Sequence, residues 1–579
     1  MSDAILRHRV VLLNEPGCFN FSLPPLPLFP SQSATQRNHR HQAHCSLSMN
    51  GCQGDPRAPF GTIEAQTFPA VSSLSLAMES LNSAISNLLN SDPSPFDSGI
   101  IRLQVPIKEK IEALAWLHAQ NHLPLLPRCY FSSRSRDFDT DHSSIEHLSA
   151  DHSVLSSSQK HRVVSVAGIG SAVFFRHLRP FSFDDWLFIK RFLSKGCPLI
   201  RAYGAIRFNA TVSIASEWRA FGSFFFMVPQ VEFDEFEESS MIAATIAWDN
   251  SLSWTYRKSI NKLHETMCEV HTVAKHLVKR VPDTYGLQKT HIPGKTSWDQ
   301  AVNRALHMIK GDYSTLIKVV LARSSRVATA TDIDPLTWLT CLKYEGENAY
   351  QFCIQPPESS AFIGNTPEQL FHRDQLSVCS DALAGTRARG GTELLDLKIG
   401  QDLLSSPKDN YEFAIVREWI RRRLEAVCSS VLIEPKKALK KLPRVQHLYA
   451  RLSGRLQSED DEFKVLSSLH PTPAVCGYPT EVARVLIAET ETFDRGMYAG
   501  PVGWFGGEES EFAVGIRSAL VGKGLGALIY AGTGIVEGSS SSSEWDELEL
   551  KTSQFTKLMK LEVPALAMGG DRRNTNQTG

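Results

Sequence analysis

The spacing of hydrophobic positions changes along the chain between a helical period and the alternation typical of β-strands. Apolar residues recur at helical spacing over 73–90, and the segment 105–121 begins as a strand and continues as an amphipathic helix. From Val163 onward, short β-rich runs bounded by Gly and Pro dominate. The same periodicity predicts further helices at 257–280, 296–310, 410–428 and 544–560.

No repeat period runs through the sequence, so a solenoid or propeller is excluded. Strands interspersed with long helices predict the α+β class. We expect a disordered leader at 1–55 and an N-terminal region of helices and strands at 56–162. That region includes a loop rich in Ser, Asp and His at 131–162. One large core follows at 163–562, with a flexible tail at 563–579.

Charge and cysteine content restrict the possible ligands. The 61 Lys and Arg residues nearly balance the 62 Asp and Glu residues, which removes any whole-chain argument for nucleic acid or an anionic membrane surface. Eleven cysteines without a CxxC pair favour reduced thiols over a disulfide framework or a zinc site. No uninterrupted apolar run is long enough to cross a membrane. We therefore expect a small ligand and a reducing compartment.

The first 49 residues differ in composition from all that follows. They contain four Arg, four His and many Ser, and only Asp3 and Glu15 are acidic. Organellar transit peptides have this composition, and an ordinary disordered tail is the alternative. The prediction is import into an organelle.

One lysine and one glutamate interrupt strand-like segments in the second half. Lys318 lies in "STLIKVVLARSS" on the same strand face as Leu316 and Val320, and Glu368 lies in "GNTPEQLF". Taken alone, each is more often a solvated surface group. Together they form a candidate general base and general acid.

Two predicted helices carry carboxylates. Ser406 and Pro407 mark the start of one helix, in which Glu412 follows Lys408 at the spacing of an exposed ion pair. A run of Ser then precedes a second helix, whose Glu544, Glu547 and Lys551 share one face. Carboxylates from two helices provide hard oxygen ligands for Mg²⁺, and Lys551 suits an anionic substrate.

Glycine-rich segments at 383–391 and 530–539 each follow a predicted strand. Such turns let backbone N–H groups approach a carboxylate closely, although a simple hairpin is an equal alternative. Arg517 alternates with apolar neighbours in "VGIRSALV", which predicts a strand residue on the same face as Gly515. A buried Arg needs an anion, and a substrate carboxylate would provide one.

Nine segments in order resemble the chorismate-utilising enzyme family, which includes isochorismate, salicylate, anthranilate and aminodeoxychorismate synthases. The resemblance extends from about Val163 to Leu561 and is strongest after Leu316. When the leader is included, the resemblance is to the plant plastid members of this family. It implies a core of antiparallel β-sheets flanked by helices. The segments are "IKVVLARS", "GNTPEQLF", "LAGTRARG", "SPKDNYEF", "HPTPAVCGYP", "DRGMYAGPVGWF", "VGIRSAL", "YAGTGIVEGS" and "EWDELELK".

The resemblance implies a role for each matching residue. Lys318 matches the lysine that activates water for attack at C2 of chorismate, and Glu368 matches the acid that protonates the departing C4 hydroxyl. Glu412 and Glu547 match Mg²⁺ ligands, with Glu544 nearby. The matching substrate-binding positions are Gly385, Thr386, His447, Ala474, Arg517, Tyr530, Gly532, Thr533, Gly534 and Lys551. A lysine base must be neutral to act, which requires desolvation or cationic neighbours.

Within the family, single positions separate the branches. Ala384 stands where the aminodeoxychorismate branch has a lysine, and Ala474 stands where salicylate synthases tend to have Thr. Asp494 stands where Glu is usual, which bears only on local packing. The resemblance therefore implies water as nucleophile and isochorismate as product, feeding salicylate and phylloquinone synthesis in the chloroplast stroma.

Two alternatives stay open at this point. One is a salicylate synthase, which would go on to eliminate pyruvate, and the other is a non-catalytic chorismate-binding regulator. The expected partner is chorismate, without nucleic acid or membrane. A monomer without an amidotransferase subunit is expected.

Overall fold

The computed structural model describes residues 48–123, 125–134, 163–273, 286–311, 314–329, 331–345, 349–433, 437–442 and 444–558. The helices in these ranges are α1 (Leu74–Asn90), α2 (Ala113–Ala119), α3 (Phe183–Lys190), α4 (Tyr256–Glu269), α5 (Lys295–Lys310), α6 (Pro335–Glu345), α7 (Glu393–Ser405), α8 (Pro407–Glu425), α9 (Glu462–Leu469), α10 (Thr480–Thr490) and α11 (Ser541–Thr556).

Strands provide the framework between these helices. They are β1 (Met49–Asn50), β2 (Thr62–Thr67), β3 (Ser98–Ile107), β4 (Arg128–Ser132), β5 (Val163–His177), β6 (Ala202–Ile206), β7 (Phe224–Phe236), β8 (Ser240–Asp249), β9 (Gly286–Ile292), β10 (Lys318–Thr329), β11 (Tyr350–Gln355), β12 (Ala361–Thr366), β13 (Gln369–Asp374), β14 (Ser377–Ala388), β15 (Cys428–Ile433), β16 (Ala438–Lys441), β17 (Val445–Leu456), β18 (Gly477–Tyr478), β19 (Pro501–Phe505), β20 (Glu509–Val514), β21 (Ser518–Gly522) and β22 (Gly526–Ile535).

Two runs of hydrogen-bonded strands diverge from β7. The first has the order β2-β3-β8-β7-β5-β4-β11-β12-β21-β22-β10, and β9 and β18 also pair with β10. The second has the order β7-β6-β19-β20-β13-β14-β17, and β15 and β16 pair with different parts of β17. Every pairing is antiparallel except β2 with β3 and β1 with β5, which are parallel. The predicted α+β class with antiparallel sheets is confirmed.

Apolar side chains separate into two cores because the sheet has two apolar faces to cover. The larger core takes residues from both runs of strands and includes Phe226, Phe362 and Phe512. The second packs α1, α2, α4 and α6 against the first run and includes Trp116 and Trp338. Burial of apolar surface on both sides of β10 explains why its first eight residues are all buried.

Helix α8 begins at Pro407, as the Ser406–Pro407 signal predicts, and α11 begins at Ser541, three residues before the start that periodicity predicts. The Ser406 hydroxyl accepts a hydrogen bond from Asp409 N, and Pro407 occupies the first turn of α8. The Ser540 hydroxyl accepts from Ser543 N at the start of α11. Helix α8 packs on β14 and β17, and α11 packs on β22. Both helices are thereby held against strands of the sheet.

Some sequence predictions need correction. The helix predicted at 257–280 ends at Glu269, and residues 274–280 lie outside the described residues. The prediction of disorder over 1–55 is wrong for Met49 and Asn50, which pair with β5, while residues 1–47 lie outside the described part. Residues 135–162, which make up most of the Ser-, Asp- and His-rich loop, and the tail from 559 also lie outside the described residues. Nine cysteines fall within the described residues, and all are free thiols.

Candidate active site

A cavity lies where the start of β10, the link between β12 and β13, and helices α8 and α11 meet. Its volume is about 930 Å³, counted out to its opening to solvent. Every residue predicted for the site lines this cavity except Thr533. The Thr533 hydroxyl instead donates a hydrogen bond to Glu544 Oε2 on the buried side of the helix. One cavity therefore collects residues that are up to 233 positions apart, from Lys318 to Lys551.

Lys318 is the first residue of β10, and its side chain is fully buried. Its Nζ lies 2.8 Å from Glu412 Oε1. Among the described residues the ammonium has this charge partner but makes no hydrogen bond of ordinary geometry. A buried lysine with free donors can hold a polar ligand or a water molecule in the cavity.

Glu368 lies in the two-residue link between β12 and β13, and it is 5% exposed. Burial and then the negative charge of Asp381 raise the pKa of Glu368 to about 7, against the opposing charges of Lys318, Lys440 and Lys551. A carboxyl group with this pKa is half protonated near neutral pH, which suits a general acid.

Three glutamates line one side of the cavity, and each faces a lysine. Glu412 pairs with Lys318, Glu547 Oε1 lies 2.7 Å from Lys551 Nζ, and Glu544 Oε1 lies 3.1 Å from Lys408 Nζ. The alternative of an exposed Lys408–Glu412 pair is wrong, because β10 and α11 bring other partners closer. The cavity wall thus alternates positive and negative charges.

The carboxylate set has the chemistry that Mg²⁺ prefers. No group of three or more His, Cys, Asp and Glu side chains in the described ranges is close enough to form a complete metal cage. Mg²⁺ is usually held by one or two carboxylates together with water and ligand oxygens, so a full cage is not required. Burial opposes ionisation of Glu547, but Lys551 outweighs it and lowers the pKa of Glu547. The oxygens facing the cavity therefore fit a hard divalent cation.

A break in strand register places His447 in the cavity. The pairing of β14 with β17 shifts between Ala384 and Thr386, and Gly385 adopts a positive φ of 68°. His447 Nδ1 then lies 3.0 Å from Gly385 O. Burial lowers the pKa of His447 to about 3, so the ring is neutral and Nδ1 donates to the carbonyl. Nε2 is left as a buried acceptor with no partner among the described residues.

The two glycine-rich segments are strands over most of their length rather than turns. Residues 383–388 belong to β14 and residues 530–535 belong to β22, while 389–391 and 536–539 leave the strands, with a turn at 537–538. Strand β22 continues through Gly532 and Gly534 because β10 pairs with it there, Ala322 with Gly532 and Val320 with Gly534. The glycines leave space in the cavity wall rather than bend the chain.

Gly534 is required by the close approach of two site residues. A Cβ atom at this position would lie 2.5 Å from Glu412 Oε1 and 2.9 Å from Lys318 Cε. We expect Gly534→Ala to displace both groups and lower kcat, since a displacement of about 1 Å can lower a rate about 100-fold. The control is Gly391→Ala, whose Cβ would meet no atom within 4 Å. Steady-state kinetics of both variants test this, and equal rates would contradict it.

Arg517 reaches the cavity from a link rather than from a strand. The prediction that it alternates in a strand is wrong, because β20 ends at Val514 and β21 begins at Ser518. Arg517 has a φ of 51°, which is rare for a residue with a side chain. Burial lowers the pKa of Arg517 to about 10, so the guanidinium remains charged at neutral pH. It is available to a substrate carboxylate.

Sequence reasoning missed several groups that line the cavity, among them Lys408, Tyr498 and the ion pair of Arg387 with Asp409. Lys408 was assigned only to an ion pair along its own helix, and Tyr498 lies in "DRGMYAG" without an assigned role. The Tyr498 ring stacks on Tyr530 with centroids 5.4 Å apart. The substituted Asp494 accepts hydrogen bonds from Ala215 N and Gly496 N, as expected for a packing role.

These features define a class: an α+β fold with a cavity lined by lysines, an arginine and carboxylates, in which a buried lysine and a protonatable glutamate lie together. The model of the chorismate binding enzyme family matches residues 95–560, and the chain belongs to that family. It is 63% identical over 529 residues to a chloroplastic isochorismate synthase of Catharanthus roseus, covering 90% of this chain and 91% of the relative.

Two further comparisons agree. The chloroplastic isochorismate synthase 2 of Arabidopsis thaliana is 59% identical over 518 residues, covering 90% of this chain and 91% of the relative. Among solved structures, the menaquinone-specific isochorismate synthase MenF of Escherichia coli superposes with a TM-score of 0.67 at 26% identity. That match covers 83% of this chain and all of MenF.

Proposed function

We propose that the chain is a plastid isochorismate synthase that converts chorismate to isochorismate with Mg²⁺. The observation that carries the proposal is that one cavity contains both the buried Lys318 and the protonatable Glu368. The names of the Catharanthus and Arabidopsis relatives support the same activity and the chloroplast location. No helix of the described residues is long and apolar enough to cross a membrane.

Each cavity residue has a separate task in this proposal. Lys318, in its neutral amine form, accepts a proton from the water that attacks C2, and Glu368 donates a proton to the C4 hydroxyl as it leaves. One water is consumed and one is released, so the product is an isomer of the substrate. Arg517 and Lys551 bind the two carboxylates of chorismate, together with the segment from Gly532 to Gly534. Tyr530, Ala474, Gly385 and Thr386 shape the cavity.

His447 complements these charged groups. Its neutral ring offers Nε2 as an acceptor in the cavity, so it can take a hydrogen bond from a substrate hydroxyl. A protonated ring would instead add a further positive charge. The bond from Nδ1 to Gly385 O fixes the tautomer.

Glu412 and Glu547 would hold Mg²⁺, with Glu544 beside them. When bound, the ion draws negative charge toward the ring carboxylate and so assists loss of the C4 hydroxyl. Lys551, which now faces Glu547, would be free to turn to substrate oxygens, and Lys318 would be released from its charge partner Glu412. This exchange keeps the charges in the cavity balanced.

Replacement of Glu547 by Gln tests the metal assignment. We expect the Mg²⁺ concentration for half-maximal rate to rise by about 10- to 100-fold, the loss typical when a group that supports a metal site is removed. Calorimetric titration with Mg²⁺ should show the same weakening without turnover. The matched control is Glu549→Gln on the same helix, whose carboxylate faces Arg323 and Lys289 outside the cavity. An unchanged Mg²⁺ requirement in the Glu547 variant would refute its role as a ligand.

The reaction itself is tested by product analysis. Protein lacking residues 1–47 but retaining Met49, which is buried against β5, is incubated with chorismate with and without Mg²⁺. Isochorismate without pyruvate, formed only with Mg²⁺, is the expected result. Salicylate with pyruvate would assign the chain to the salicylate synthase branch, and binding without turnover would assign it to a regulator. A monomer without an amidotransferase subunit is proposed and is tested by sedimentation.

A further inference from the structure

A buried group of charges lies beside Glu368 but outside the cavity lining. Asp381 on β14 is 2% exposed, and its Oδ2 accepts hydrogen bonds from Arg134 Nη1 at 2.6 Å and from Lys440 Nζ at 3.3 Å. Its Oδ1 accepts from the Tyr449 hydroxyl at 3.1 Å. We call Asp381, Arg134, Lys440 and Tyr449 the Asp381 cluster. Arg134 follows the end of β4 by two residues, and the other three members lie on β14, β16 and β17.

The Asp381 cluster is attached to the backbone that carries Glu368. Lys440 Nζ donates to Pro367 O at 2.8 Å, and Arg134 Nη1 donates to the same oxygen at 3.4 Å. Pro367 and Glu368 are the whole link between β12 and β13. Both cations therefore join the Asp381 carboxylate to the peptide group directly before Glu368, which restricts the link.

The cluster also sets the charge near the Glu368 carboxyl. Burial opposes ionisation of Asp381, but the charges of Arg134 and Lys440 outweigh it and lower the pKa of Asp381 to about 2. Asp381 is therefore an anion throughout the working pH range. The groups facing Glu368 from every packed element are Asp381 on β14, Lys318 on β10, Lys440 on β16, Lys551 on α11 and Tyr498 before β19.

We propose that Asp381 is a positioning residue for Glu368: through Lys440 and Arg134 it fixes the Pro367–Glu368 link, and its negative charge keeps a proton on the Glu368 carboxyl. Burial favours the protonated carboxyl of Glu368, three nearby lysines favour loss of the proton, and Asp381 is the anion that opposes these lysines. The inference rests on the proposed function of Glu368 as general acid. It adds a residue that touches neither the cavity nor the substrate.

An electrostatic role and a purely structural role of Asp381 predict different pH profiles for two variants. Asp381→Asn keeps the shape but removes the anion, so Glu368 should lose its proton more readily. Lys440→Gln removes a cation, so Glu368 should hold its proton to higher pH. Because a general acid works only while protonated, the alkaline limb of kcat/KM should move down by about one pH unit in the first variant and up in the second. A merely structural role would lower the rate of both without moving the limb in opposite directions.

The experiment measures the pH dependence of kcat/KM for the wild type, Asp381→Asn, Lys440→Gln and Lys440→Arg. The last variant retains the cation and should keep the limb of the wild type. Opposite displacements support the proposal, while no displacement or displacement in one direction overturns it. Lys440 is 13% exposed in its side chain, so its variants are expected to fold. When Asp381→Asn does not fold, the two Lys440 variants decide: an upward limb in Lys440→Gln with an unmoved limb in Lys440→Arg supports the proposal, and equal limbs overturn it.

A second measurement separates this proposal from the proposed function. Infrared titration follows the protonated carboxyl band of Glu368, assigned by its loss in Glu368→Gln, without any turnover. Opposite shifts of the pH midpoint of this band in the two variants support the role of Asp381, even when the rate profile shows that another group is the acid. An unchanged midpoint in both variants overturns that role.

Discussion

Replacement of Lys318 by alanine will lower kcat by about 10²- to 10⁴-fold, the usual contribution of a proton-transfer partner. The physical reason is that the Lys318 side chain is fully buried at the start of β10 and faces the cavity, and alanine leaves no amine at this place. Chorismate should still bind, because Arg517 and Lys551 remain to meet its carboxylates. Stopped-flow or steady-state kinetics, with calorimetry for substrate binding, measure the two effects separately.

Lys318→Arg is the control that separates proton transfer from charge. An arginine can keep an ion pair with Glu412, but its guanidinium does not give up a proton in proteins. We expect it to be as slow as the alanine variant. An arginine variant with the rate of the wild type would show that Lys318 acts only as a cation, and the base assignment would then be wrong.

Replacement of Glu368 by glutamine will lower kcat by about 10²- to 10⁴-fold and will also remove the alkaline limb of the rate profile. Its pKa of about 7 means that the carboxyl is protonated below this pH and ionised above it. Since the proposed acid must carry the proton, kcat/KM of the wild type should fall as the pH rises through about 7. An amide of the same size cannot donate an acidic proton to the leaving hydroxyl. Kinetics on both sides of neutrality check the sign.

Glu368→Asp provides the matched comparison. The shorter side chain keeps a titratable carboxyl, so a reduced rate with a surviving alkaline limb is expected. Should the glutamine variant retain the limb of the wild type, the limb belongs to another group, and Glu368 is not the acid. Rescue by aspartate would be inconsistent with a purely structural role.

Both predictions depend on a cavity that is lined by opposite charges. Lysines and glutamates alternate along the wall, with pairs at 2.8 Å, 2.7 Å and 3.1 Å. Removing one member of a buried pair leaves its partner without compensation. Unfolding midpoints of each variant should therefore be measured beside its rate, so that loss of structure is not mistaken for loss of chemistry.

The sequence by itself determined the kinds of elements and much of the candidate site. Helical and strand periods depend on local spacing, and caps such as Ser406 and Ser540 act within one turn, so these features are readable without tertiary structure. The ordered motifs also identified Lys318, Glu368 and the glutamates, which the fold then brought to one cavity.

Only the tertiary structure decided which charges meet. Lys408 pairs with Glu544 on another helix rather than with Glu412 in its own, because packing of α8 and α11 on one sheet sets that distance. Arg517 lies in the link between β20 and β21. Most of the second glycine segment lies in β22, because pairing with β10 overrides local turn chemistry. The Asp381 cluster has no local signature, since its contacts join segments as far apart as Arg134 and Asp381. The pKa of Glu368 follows from burial and such neighbours, which exist only after the chain has folded.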